Sequence, residues 1–170
     1  MKLREIPIDR VREVLWYEPW TGDFYWRVKT GDKCVVGAKA GSVSPRRDVL
    51  IGVDGLVYPG HRLAWAWMTG TQPPNVLDHK NMNTWDNRWE NLRAATGTEN
   101  NANRAAQSNH KTGGTKGVYH YPHLPRRPWL ARLQSQGVIR LNRYFATQEE
   151  AAAAYAEAAK QWFGEFARTE

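Results

Sequence analysis

Apolar positions along the chain change period several times, and each change predicts an element. Ile8, Val11, Val14 and Leu15 recur at the spacing of one helix face, and the stretch from Glu18 through Pro19, Trp20, Thr21 and Gly22 to Asp23 breaks that helix with Pro and Gly. Residues 24–28 then read as a strand. Residues 48–53 and 56–58 flank Asp54-Gly55, a dipeptide suited to the positive φ angles of a tight hairpin turn. A helix follows over 61–68, with its tryptophans Trp65 and Trp67 expected in the core and Gly70 and the Pro73-Pro74 pair closing it.

A short strand at Val76-Leu77 leads into Asp78-His79 and a polar loop over 80–89. Residues 91–95 return as a second strand or loop, and a helix is expected to start near Thr98, capped by its hydroxyl, and to run to about Ala106. Residues 108–114, small, polar and Gly-terminated, read as a linker. Beyond it, three strands are expected at 117–121, 129–135 and 138–145, with a turn at Gln136-Gly137. One helix ends the chain, opened by a capping box in Thr147-Gln148-Glu149-Glu150 and closed by Gly164. Its stripe of Ala152, Tyr155, Ala159 and Trp162 or Phe163 predicts a face packed on that sheet.

Composition narrows the class. With 41% hydrophobic and 12% aromatic residues in 170, the chain has the apolar surface of a folded protein of one ordinary domain or two small ones. No apolar run approaches the length needed to span a bilayer, and the charged N-terminus lacks the apolar centre of a secretion signal, so a cytoplasmic protein with no membrane partner is expected. The single cysteine, Cys34, excludes an internal disulfide and a cysteine-built zinc site.

The net charge of +7 is unevenly spread. Between Asn101 and Gln148 stand eight basic residues (Arg104, Lys111, Lys116, Arg126, Arg127, Arg132, Arg140 and Arg143) and no acidic one, and the rest of the chain sums to −1. A one-sign segment of this kind points to a polyanion, nucleic acid first.

The residues that carry chemistry are Asp78, His79, Asn91 and Asn100. Adjacent residues on a strand end project to opposite sides of the backbone, so Asp78 can hold a metal while His79 faces a water. Phosphodiester hydrolysis needs that division: a cation against the charge on phosphate, and a neutral imidazole to take the proton of the attacking water.

The run from His61-Arg62-Leu63-Ala64-Trp65 through Leu77-Asp78-His79 and Asp86-Asn87-Arg88-Trp89-Glu90-Asn91-Leu92-Arg93 to Thr96 and Asn100 resembles the HNH endonucleases of bacteriophages and mobile introns. The resemblance implies a homing-type endonuclease whose site is two strands and a helix around one divalent ion, a ββα-metal fold. It implies that Asp78 is a metal ligand, His79 the general base, Asn91 the brace of the loop bearing His79, and Asn100 the second metal ligand. Asn87 and Asn103 are expected as supporting groups behind these. An oxygen pair from Asp and Asn favours Mg2+ or Mn2+ over softer-site metals. Met82 stands where such loops commonly have glycine, and His61 reads as a helix-start residue. The aromatic segment 16–26 also looks like what precedes these sites, with a packing platform as its expected role.

Gly117-Val118-Tyr119, Trp129 to Leu133, Tyr144-Phe145-Ala146-Thr147 and the helix with Phe163-Gly164-Glu165-Phe166 resemble the AP2 (ERF-type) DNA-binding domain over about 115–168. That implies a three-stranded sheet with one face on the helix and the other in the major groove of duplex DNA. Alternation turns Trp129, Ala131 and Leu133 inward and Arg132, Gln134 and Arg140 outward, with Asn142 in a left-handed conformation and Arg143 as an inserted bulge residue. Tyr119, Tyr121, Arg126, Arg127 and Arg143 complete the expected DNA contacts.

The fold class is therefore α+β: an N-terminal platform and HNH nuclease domain over 1–107 with its ββα core at about 74–107, the 108–114 linker, and an AP2-like domain over 115–170. The expected protein is a monomeric, strand-nicking nuclease of a phage or mobile element. The alternatives are a non-catalytic DNA-binding regulator and, behind it, an RNA-binding protein.

Overall fold

The computed structural model describes residues 4–31, 34–45, 48–104 and 115–168. The expected linker at 108–114 and the helix tail expected at 105–106 lie outside the described residues. The chain divides into two compact units, Met1–Ala95 and Thr96–Glu170.

In the first unit, α1 (Ile8–Val14) buries Val11 and Val14 and runs directly into β1 (Leu15–Glu18), which pairs antiparallel with β2 (Asp23–Trp26). β3 (Lys39–Ala40) extends this sheet beyond β2. A second sheet joins β4 (Ser42–Val43), β5 (Val49–Val53) and β6 (Leu56–Pro59). The β5–β6 hairpin turns at Asp54-Gly55 with φ of 48° and 77°, the positive pair that a right-twisted two-residue turn requires.

β6 feeds α2 (Gly60–Thr69), which ends on Gly70 at φ 69°, the left-handed closure expected from its sequence. The helix buries Arg62, Leu63, Ala64 and Ala66, while Trp65 and Trp67 are only partly buried, so its smaller side chains fill the interior. Tyr17, Phe24, Leu15, Ile51 and Leu63 are the large fully buried residues of this core. A two-stranded ribbon of β7 (Leu77–His79) and β8 (Leu92–Ala94) completes the unit, with a 3-10 turn at Trp89–Asn91 leading into β8.

The second unit opens with α3 (Gly97–Asn103). Its cap is Thr96 rather than Thr98: Thr96 Oγ1 accepts the Glu99 amide at 3.2 Å, and Glu99 Oε2 accepts the Thr96 amide at 2.7 Å. Both threonines satisfy the local rule, but only Thr96 has a carboxylate three residues on to close the reciprocal box. β9 (Val118–His120), β10 (Trp129–Ser135) and β11 (Val138–Phe145) form an antiparallel sheet with β10 central. α4 (Gln148–Phe163) packs on it through Ala151, Tyr155 and Ala159. The Thr147–Glu150 capping box and the Gln136-Gly137 turn form as the sequence predicts.

The sheet's register differs from expectation. Leu133 pairs with Leu141 and Gln134 with Ile139, so the irregularity falls at Arg140, while Asn142 and Arg143 sit in regular pairing opposite Arg132 and Ala131. Asn142 has no positive φ. The skipped residue turns Arg140 toward the helix, where its guanidinium lies 3.9 Å from the Trp162 ring centre. A cation stacked on indole and a short turn at Gln136-Gly137 together favour the bulge here.

Candidate active site

Strand pairing builds the site from residues distant in sequence. Asp78 lies opposite Arg93 in the β7–β8 ribbon, and both side chains are more than nine-tenths buried. Arg93 Nε donates to Asp78 Oδ2 at 2.9 Å, and its Nη2 approaches the same oxygen at 2.8 Å. A buried carboxylate without such a partner would be costly, and Arg93 supplies the compensating charge inside the unit. Sequence reasoning missed Arg93; the signal lay in the register of the two short strands.

His79 follows on β7, also buried. Its Nε2 and the Oδ1 of Asn87 are 3.1 Å apart, and the His61 ring stands edge-on to it with centroids 5.2 Å apart. Burial pushes the His61 imidazole down to about 3, with the charges of His79 and Arg62 adding to the effect, so His61 stays neutral beside His79 at working pH.

The loop between the strands is braced by Asn91. Its Oδ1 accepts the Asn81 amide at 3.0 Å, and its Nδ2 donates to the Asp86 carbonyl at 2.7 Å and to Asn81 Oδ1 at 3.0 Å. The Asn91 carbonyl also accepts the Lys80 amide at 2.9 Å. Within the loop, Asp86 accepts from Arg88 Nε at 2.8 Å and from Asn81 Nδ2 at 2.7 Å, and the Arg88 bonds hold its carboxyl down at about 2. Met82 takes φ 59°, the left-handed conformation that glycine supplies at lower cost.

Asn87 is more deeply buried than any expected site residue, 1% exposed. Its carbonyl accepts the Tyr17 hydroxyl at 2.6 Å, across seventy residues of chain. Its Nδ2 has no partner among the described residues and lies 3.0 Å from the place a Cβ would take on Gly60.

Asn100 and Asn103 lie on α3, in the second unit, where Asn100 is half-buried and Asn103 buried. Lys116 Nζ donates to the carbonyls of Ala102 and Arg104 at the end of that helix. Burial and the nearby Arg168 push the Lys116 ammonium down to about 8. One of the eight cations of the basic segment is thus a helix cap.

On the second unit's sheet, Tyr119, Leu130, Arg132, Gln134, Asn142 and Tyr144 share the face away from α4, since directly paired residues point the same way. Tyr121 packs edge-on against Tyr144 with ring centres 5.9 Å apart. Arg143 lies on the opposite face, over Phe145, and Arg140 on Trp162, so neither belongs to the face that Arg132 occupies. Arg126 and Arg127 are exposed on the β9–β10 loop.

Among the described residues there is no group of three or more His, Cys, Asp or Glu side chains able to hold a metal. The donors expected for one, the Asp78 carboxylate and the Asn100 carboxamide, are all oxygen. Oxygen donors of this kind suit a hard cation such as Mg2+. No helix among the described residues is long and apolar enough to cross a membrane.

Residues 58–102 match the model of the HNH endonuclease family. No curated protein and no solved structure matches the chain. The matched segment contains α2, both strands of the ribbon, the braced loop and all but the last residue of α3, the elements that carry Asp78, His79, Asn91 and Asn100. HNH nucleases in general use a divalent metal ion and act on DNA. The matched segment supports an HNH nuclease, an enzyme that hydrolyses phosphodiester bonds.

Proposed function

We propose that this protein is a metal-dependent DNA endonuclease of the homing type, encoded by a phage or mobile element and acting in the bacterial cytoplasm, in which His79 activates water and residues 115–170 bind duplex DNA as an AP2-like module. The observation that carries the reading is His79 itself: a buried imidazole at a strand end, tied at one nitrogen to Asn87 and set beside Asp78. His79 removes a proton from the water that attacks phosphorus. Asp78 and Asn100 would hold Mg2+ or Mn2+, which supplies charge neutralisation at the phosphate and the leaving oxygen. Arg93 holds the Asp78 carboxylate in a buried ion pair, Asn91 braces the loop between the two strands, and Asn103 supports α3 from its buried side.

The sheet face with Arg132, Gln134 and Tyr119 meets DNA, with Tyr121, Arg126 and Arg127 at its edge, where guanidiniums reach guanine edges or phosphates. One set of catalytic residues per chain cuts one strand, so the monomer nicks. The test is supercoiled plasmid incubated with Mg2+, with and without chelator, for the native chain and His79→Ala. Nicked circles from the native chain alone, abolished by chelator, are expected. Nicking by His79→Ala at the native rate would overturn the assignment, because loss of a general base costs about 10² to 10⁴ in rate.

A further inference from the structure

The N-terminal hairpin is joined to the nuclease residues by contacts that a passive platform does not need. Tyr17, in the middle of β1 and fully buried, donates its hydroxyl to the Asn87 carbonyl at 2.6 Å. Gly22, in the β1–β2 turn at φ 80°, lies so close to the backbone of Asn87 and Arg88 that a Cβ there would stand 2.5 Å from the Asn87 carbonyl carbon and the Arg88 nitrogen. The Trp89 amide donates to the Pro19 carbonyl at 3.0 Å. Three points of one hairpin therefore grip the single segment 87–89.

That segment carries the group bonded to His79. The Asn87 carboxamide offers its oxygen to Nε2 at 3.1 Å while its own Nδ2 is buried without a partner among the described residues. A buried amide left half-satisfied is costly, and such groups persist where they serve something else. An oxygen acceptor at Nε2 requires that nitrogen to carry the proton, which selects one of the two neutral tautomers.

We infer that Asn87 and Tyr17 are positioning residues for catalysis: Asn87 holds the His79 imidazole in its Nε2-protonated tautomer, and the β1–β2 hairpin, through Tyr17, holds Asn87. This rests on His79 being the general base. It gives residues 15–26 a share in the reaction although they touch no substrate.

Histidine 15N spectra of labelled full-length protein test it, with the His79 signals identified by their loss in His79→Ala. In the native chain Nε2 is protonated. Asn87→Ala is expected to populate both tautomers and to lower kcat about 10- to 100-fold, the usual cost of losing an orienting partner, with KM within about twofold. Tyr17→Phe keeps the packed ring and loses only the hydroxyl, and is expected to shift both readouts the same way by a smaller factor. Asn87→Asp keeps an oxygen acceptor at nearly the same size, so Nε2 stays protonated in it. A folded Asn87→Ala with the native tautomer or native kcat overturns the inference, as does loss of the Nε2 proton in Asn87→Asp. If Asn87→Ala does not fold, Tyr17→Phe with native kcat and spectrum overturns the hairpin's part and Asn87→Asp decides the rest. Native cleavage by His79→Ala would instead overturn the underlying reading, so the two failures are distinguishable.

Discussion

Replacing Arg93 by Met removes a guanidinium and keeps much of its apolar stem, which isolates the charge it supplies to Asp78. The two nitrogens reach one carboxylate oxygen at 2.9 and 2.8 Å, and both side chains are more than nine-tenths buried. Each hydrogen bond to a charged group contributes about 1.5 to 3 kcal/mol, and breaking a buried pair by removing one partner costs about 3 to 5 kcal/mol. The expected loss is about 3 kcal/mol, read from urea unfolding followed by tryptophan fluorescence. Double replacement, Asp78→Leu with Arg93→Met, should recover much of that loss, because no uncompensated charge then remains inside. Mg2+ should also recover part of it in the single variant if Asp78 is a ligand: a ligand at a hundred times its Kd stabilises by about 2.7 kcal/mol. A loss below about 1 kcal/mol in Arg93→Met, or a double variant no better than the single, would refute the view that Arg93 compensates the buried charge of Asp78.

Three further expectations concern other parts of the chain. His61, pushed down to about 3 from an unfolded value near 6.5, favours the folded state only when neutral; its contribution is whole above about pH 6.5 and is lost as pH falls toward 3, with a slope of at most about 1.4 kcal/mol per unit. His61→Gln should flatten unfolding stability across that window, and parallel curves for the two proteins would contradict it. Gly22→Ala, forced to φ 80° with its Cβ 2.5 Å from neighbouring backbone, should lose about 3 kcal/mol or more in thermal unfolding; an unchanged Tm would show that the turn can move away. Arg132→Ala should reduce the slope of log K against log salt for duplex DNA by about 0.9, whereas Arg140→Ala should leave the slope alone and lower the Tm through loss of its stacking on Trp162; a slope change for Arg140 equal to that for Arg132 would reject the assignment of faces.

What the sequence alone determined is what depends on near neighbours. Asp54-Gly55 makes a hairpin, Gly70 ends α2 and Thr147 with Glu150 starts α4, because backbone φ preferences and reciprocal side-chain bonds act over two to four residues. Asp78-His79 at a strand end is equally local. Choosing between Thr96 and Thr98 needed one more neighbour, Glu99. Tertiary structure decided the rest, because it turns on register and on which surfaces meet. A single skipped residue moved Arg140 from the outer sheet face to the helix, since side chains alternate with period two and any shift of one reverses them. Arg93 met Asp78 only through the pairing of two three-residue strands, and Tyr17 met Asn87 only because the fold closes a loop of seventy residues. No spacing within the motif encodes those encounters; they arise when a buried polar group must find its partner wherever the packed chain brings one.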